Sequence, residues 1–204
     1  MLHGDTPIPR EAAPMAKTAA KTETVLRLKV TLRGVRPPVW RRLLVPRDMT
    51  LGDLHVAIQA AMGWGGGHLH VFDIAGREYG DPEHGIEDAE NENRMTLKSV
   101  LASRVTRFTY LYDFGDNWEH QVAIEGAQPP LDGQSYPTCV AGKRNCPPDD
   151  CGGPWGYQDM LAVLADPTHP EHAEQVEWLG EDFDPEEFST ASVDAIIAAH
   201  FRRP

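Results

Sequence analysis

Two histidines, His68 and His70, follow a run of glycines in "GWGGGHLHVF". On a strand, residues i and i+2 project from one face, so both imidazoles would present nitrogen donors to the same side, as a pair of metal ligands must. A pair at this spacing beside a glycine-rich loop serves equally well in packing or hydrogen bonding, and spacing alone does not separate the roles. A second concentration of chemistry lies in "YLYDFGDNWEH", where Asp113, Asp116 and His120 fall within eight positions. These three are the candidate catalytic groups, because an aspartate that fixes an imidazole is the arrangement of a general base or of the support behind a metal ligand. The hairpin register decides whether they meet. A turn centred on Asp116-Asn117 sets Asp113 opposite His120, whereas one centred on Gly115-Asp116 sets it opposite Trp118. The competing reading is that both aspartates hold turn amides while Tyr110, Tyr112 and Trp118 fill a core.

All three cysteines, Cys139, Cys146 and Cys151, lie in "CVAGKRNCPPDDCGGPWGY". Their separations do not match the close C-x-x-C knuckles of zinc ribbons, and a four-ligand site would have to borrow a histidine or aspartate. The candidate metal ligands are therefore His68, His70, His120, Cys146 and Cys151, with a divalent metal as the only cofactor to consider. Gly152-Gly153 is too short for a phosphate-binding signature, and no small-molecule cofactor is signalled. Prolines that stiffen, acids that cap amides and glycines that allow close approach account for the segment as a rigid loop without chemistry. On that reading residues 139–156 are ordered, pinned by Trp155 against the "YLYDFGDNWEH" hairpin, with reduced thiols.

The net charge of −12 hides an asymmetry: residues 1–47 carry +7 and residues 48–204 carry −19. Arg33, Arg36, Arg41, Arg42 and Arg47 form a candidate nucleic-acid or anion patch, against the plainer reading of a solvated strand face. A protein or a nucleic acid is the partner class to expect; overall acidity argues against indiscriminate nucleic-acid binding. Three cysteines in 204 residues do not make a disulfide framework and fit a cytoplasmic protein, and no apolar run is long enough to span a bilayer.

The elements that must position these groups follow from periodicity. "VLRLKVTLR" and "VWRRLLV" alternate apolar and polar residues around "GVRPP", which makes a hairpin. Thr50 and Asp53 form the start of a helix over about 51–62 that Gly63 stops. "HLHVFDI" is a strand, residues 81–92 read as an exposed acidic loop, and Thr96 caps a short helix, "LKSVLAS". "RFTYLYDF" and "WEHQVAI" make a second hairpin, and helical patterns at about 157–165, 170–179 and 190–202 close the chain, with Pro170 and Pro185 placed as helix starters. The expected fold is α+β: a mainly antiparallel sheet of about five strands with helices packed on one face and a helical C-terminal third, preceded by a disordered leader at residues 1–22. Residues 23–204 form one domain on this reading.

Taken in order, "LKVTLRGVRPPVWRR", "LGDLHVAIQAAMGWGGGHLHVF", "YLYDFGDNWEH", "CPPDDCGGPWGY" and "WLGEDFDPEEF" resemble the plasmid pRiA-type ORF-3-like family, whose relatives include a passenger protein of an insertion sequence labelled TnpR-like. The resemblance runs over about residues 24–201. It implies a compact α+β domain associated with plasmids or transposable elements and no established reaction; where relatives read Glu-Asp this chain reads Asp149-Asp150. The expected role is an accessory or interaction domain of undetermined activity linked to mobile DNA. The alternative is a metal-dependent hydrolase or nuclease whose site joins His68, His70, Asp113, Asp116 and His120.

Overall fold

The structure is a computed structural model that describes residues 24–201 apart from Gly85, Glu87 and Glu181. The expected leader lies outside the described residues. Eight strands form one sheet: β1 (Val25–Leu32), β2 (Trp40–Pro46), β3 (His70–Ile74), β4 (Arg77–Gly80), β5 (Glu90–Asn91), β6 (Arg107–Tyr112), β7 (Trp118–Gln128) and β8 (Thr138–Lys143). Their spatial order is β5-β4-β3-β6-β7-β1-β2-β8, antiparallel throughout except for the parallel β4–β5 pair. Among the described residues five α-helices accompany them: α1 (Leu51–Met62), α2 (Leu97–Ala102), α3 (Gly153–Ala165), α4 (His172–Leu179) and α5 (Thr190–Phe201).

The five alternating segments expected to share a sheet do so. The strand count was too low, because β4, β5 and β8 carry little apolar alternation. Their backbone pairing comes from neighbours, not from their own side chains. The C-terminal third is not wholly helical either: β8 and the loop after it precede α3.

Local chemistry explains the helix that matters most to the site. Thr50 Oγ1 accepts from the Asp53 amide at 3.1 Å, satisfying one of the free N–H groups of the first turn of α1. Gly63, at φ 90°, ends the helix in the left-handed region. Between them Leu51, Leu54, Ala57, Ile58, Ala61 and Met62 are buried, so the helix presents a continuous apolar stripe to the core. α1 packs against α5, and α5 against β8.

Trp118, Tyr110, Tyr112, Tyr157 and Phe72 are the largest fully buried side chains. A buried Leu or Phe contributes roughly 1.5–3 kcal/mol relative to exposure, so this aromatic layer holds β3, β6 and β7 as a rigid platform.

Candidate functional site

The β3–β6 register fixes the site. His70 lies opposite Tyr112, and the Asp113 amide donates to the Leu69 carbonyl at 2.9 Å, so the glycine-rich loop entering β3 runs beside the turn leaving β6. Tyr112 pairs with Trp118 and Tyr110 with His120, which makes residues 113–117 a five-residue turn centred on Gly115. Neither expected register holds, and Asp113 does not orient His120. Asp113 stands outside the ladder at φ 57°, where its Oδ1 accepts from the amides of Gly115 (2.9 Å) and Asp116 (3.3 Å).

His120 is fully buried. A carbonyl can only accept, so its Nδ1–H donates to Tyr110 O at 3.3 Å and its Nε2 is left as a buried lone pair with no partner. Burial pushes its pKa down to about 4, and its ring meets Trp64 edge-on with centroids 5.3 Å apart. It is a core residue beyond the reach of a substrate. The third catalytic candidate, Asp116, accepts from the Gly152 amide at 3.2 Å and so ties the turn to the cysteine loop.

His70 Nε2–H donates to Glu92 at 2.9 Å, and both side chains are buried. The His70 ring stacks on His55 with centroids 3.5 Å apart and planes 8° from parallel. Burial, and then the His70 neighbour, push the His55 pKa down to about 3, which keeps that imidazole neutral. Gln59 Nε2 donates to the Tyr110 hydroxyl at 2.8 Å, so the hydroxyl's own hydrogen is free to go to His55 Nδ1 at 2.7 Å. That assignment leaves the hydrogen of His55 on Nε2.

These rings line a cleft of about 600 Å³ together with His68, His84, Asp81 and Asn93. Asp81 accepts from His84 at 2.9 Å at its rim. Of the five residues proposed to join in a hydrolase, only His68 and His70 reach this cleft. Sequence reading missed Glu92, assigned to an exposed acidic loop. It is 4% exposed, and its partner lies 22 residues upstream, beyond any local pattern.

His68 belongs to a different group. Its Nδ1 is 3.7 Å from Asp113 Oδ2 and its Nε2 is 3.4 Å from Asp150 Oδ1. One donor atom from each of the three residues lies within 4.8 Å of the others, the arrangement among the described residues that fits a metal ion. Asp150 comes from the cysteine loop, where it sits at φ 59°.

That segment packs against the hairpin as expected, but residues up to Lys143 belong to β8 and those from Gly153 to α3, and the expected anchor is wrong. Trp155 is 85% exposed and holds nothing. The loop is pinned instead by Trp64, whose indole N–H donates to Pro147 O at 2.8 Å, and by Gly153, where a Cβ would collide with the Asp116 backbone. Cys139 and Cys146 are buried, Cys151 is half-buried, and all three are free thiols. Burial pushes Cys139 up to about 11, Cys151 up to about 12 and Cys146 higher still, so none supplies a ready thiolate. Neither Cys146 nor Cys151 joins the His68 group.

The arginines do not form one patch. Arg41 and Arg42 are neighbours on β2 and point to opposite sides. Arg41 is buried, with its guanidinium on the carbonyls of Ala61 (2.8 Å), Trp40 (3.0 Å) and Lys143 (3.1 Å) and its plane over Phe188. Arg42 is paired bidentately with Glu125 and Arg33 with Glu119. Arg36 and Arg47 are exposed.

This sheet, with its glycine-rich loop, tight aspartate turn and docked cysteine loop, matches one sequence family over residues 24–192, described as plasmid pRiA4b ORF-3-like protein. The chain belongs to that family. It is 44% identical over 159 residues to the uncharacterized protein y4hQ of Sinorhizobium fredii (strain NBRC 101917 / NGR234), covering 77% of this chain and 81% of the relative. A crystal structure of a protein of unknown function, MM3350 from Methanosarcina mazei Go1, superimposes with a TM-score of 0.79 at 41% identity, covering 84% of this chain and 98% of that one. The family's biochemical activity is undetermined in these relatives, and among the described residues no helix is long and apolar enough to cross a membrane.

Proposed function

We propose that the protein is a cytoplasmic accessory domain of plasmid- or transposon-type elements that docks a basic, apolar-anchored segment of another protein in the groove between α3 and α4. The carrying observation is the chemistry of that groove. Buried Met160 and Val163 form its floor and Trp178 its wall, while Asp150, Asp159, Glu171 and Glu174 line the rim. From Asn145 to Phe201 the chain holds thirteen Asp and Glu and no Lys or Arg, and none of the residues lining the groove is a Lys or Arg. Trp178 is 53% exposed, and Trp155 on the first turn of α3 is exposed as well. Large aromatics left in solvent at an apolar groove are the usual anchors of protein interfaces. An amphipathic helix with lysines or arginines flanking its apolar face would satisfy both floor and rim.

The reading is tested with a fluorescent amphipathic peptide of leucine and lysine as probe. Saturable binding that weakens with salt, and weakens by about tenfold in Trp178→Ala, is expected for an aromatic anchor worth about 1.4 kcal/mol or more. Equal affinity in Trp178→Ala, or no binding at low salt, would refute it. A hydrolase built on His68, His70, Asp113, Asp116 and His120 is not favoured, because His70, Asp116 and His120 are spent in separate hydrogen bonds and only His68 and Asp113 approach each other.

A further inference from the structure

We infer that His68, Asp113 and Asp150 form a binding site for one divalent transition cation of the manganese–zinc class. The three come from three segments that the fold brings to one end of the sheet: the loop before β3, the turn after β6 and the loop before α3. The inference shares Asp150 with the rim of the docking groove and otherwise rests on different residues.

The geometry already separates two kinds of oxygen on Asp113. Oδ1 is consumed by two turn amides, while Oδ2 faces His68 at 3.7 Å, too long for a hydrogen bond and suited to a shared ion. Asp150 is held at 3.4 Å from the other ring nitrogen, yet its side chain is 75% exposed and free to swing. One ion takes only one of the two ring nitrogens, so with His68 Nδ1 facing Asp113 the exposed Asp150 arm has to swing round to that side, and one donor atom from each residue already lies within 4.8 Å of the others.

A second observation points to a missing ligand at the same place. Tyr112 is fully buried, and its hydroxyl, close to the amides of Gly67 and His68, makes no hydrogen bond of normal geometry. Its ring lies edge-on to His68 with centroids 5.7 Å apart. The hydroxyl feels Asp149 and Asp113. One carboxylate oxygen of Asp149 is likewise buried without a partner, and that carboxyl interacts with His68, Asp150 and Asp113. A buried polar group left unsatisfied costs about 1–3 kcal/mol, and a hydrated cation between these carboxylates would supply the water ligands such groups lack.

The donor set selects the ion. One imidazole with two or three carboxylates suits Mn²⁺ or Zn²⁺, whereas calcium takes six to eight oxygens and a soft ion would require thiolates. The nearby thiols are protonated and face the core.

The test uses full-length protein without an affinity tag, stripped with chelator. Mn²⁺ binding is followed by the loss of the free-ion electron paramagnetic signal and Zn²⁺ binding by calorimetry. One equivalent per chain is expected, and binding should weaken at least about tenfold in Asp150→Asn and in His68→Gln, as ligand-shell changes do in metal sites. Both positions are solvent-accessible, so both variants should keep the wild-type circular dichroism. Cys151→Ser and His84→Gln should bind as the wild type does. X-ray absorption of the zinc form should show nitrogen and oxygen neighbours without sulfur. The proposal is overturned by no saturable binding below about 1 mM, the weak end of biological cation sites. Unchanged affinity in Asp150→Asn and His68→Gln, sulfur scatterers, or loss of binding in His84→Gln would overturn it equally.

Discussion

The molecule carries two sets of imidazoles that look alike in sequence and differ in every physical respect. His55 on α1, His70 on β3 and His120 on β7 lie among Tyr110, Phe72 and Trp64, and their hydrogen bonds go to Tyr110 or Glu92. At the loop end, His68 stands between two carboxylates at distances no hydrogen bond would choose. Enclosure among aromatic rings makes an imidazole part of the scaffold; partial exposure between two carboxylates leaves it available to an ion. The difference is one of neighbours, since His68 and His70 are two residues apart.

The strongest way to break this comparison is to attack the scaffold side. Trp64→Ala removes an indole packed on Tyr112, Trp118 and His120 and orphans Pro147 O. It should cost about 3–5 kcal/mol by urea denaturation, as large buried aromatics do. A loss below 1 kcal/mol would mean the loop is not hung from this side chain. Tyr110→Phe should have the next largest effect, about 1–3 kcal/mol, because it strands Gln59 Nε2 and His55 Nδ1 inside the protein. A neutral result would show that these two groups find other partners.

Acid sharpens the comparison without mutation. His55 and His120 are held at about 3 and about 4 against an ordinary 6.5, so between those values the unfolded chain binds a proton on each that the folded chain refuses. Their contribution to stability is therefore complete above about pH 6.5 and is lost as the pH falls toward 4 and then 3. The urea midpoint should fall steadily from pH 7 to pH 4.5; a profile flat over that interval would mean both rings are already charged in the fold. The smallest effect belongs to the rim. Asp150→Asn should change stability by less than about 0.5 kcal/mol, the usual range for exposed positions, while carrying the loss of cation affinity described above. A large loss of stability there would make Asp150 a structural residue.

What sequence could reveal followed from whether the signal was local. β1, β2, β6, β7 and α1 announce themselves through period-two or helical spacing and through the Thr50 and Gly63 caps, and each was placed within a few residues. β4 and β8 each place only one apolar side chain, Tyr79 and Cys139, in the core and β5 none, which leaves no side-chain period to read. His68 and Asp113 were visible as chemistry-bearing residues, but their company was not. Asp150 reaches them only because Gly152 and Gly153 let the cysteine loop lie directly on the Asp116 turn, and Glu92 reaches His70 through the β4–β5 excursion. Trp155 shows the opposite failure: an aromatic in a proline-rich loop invited the role of an anchor, yet its place on α3 turns it to solvent.

An open eight-stranded sheet leaves two raw margins, and at β8 the C-terminal segment closes one of them. Asp194 on α5 accepts from the Cys139 amide at 2.5 Å and from the Thr138 hydroxyl at 2.7 Å, and Phe188 lies so close over Gly142 that no side chain fits there. An unpaired strand margin is a template on which another copy can zip. α5 thus acts as a stopper against self-assembly as well as a source of packing for α1. Asp194→Ala would free two donors on that margin, and its consequence belongs to colloidal behaviour: growth of scattering with protein concentration while the monomer's unfolding midpoint shifts comparatively little.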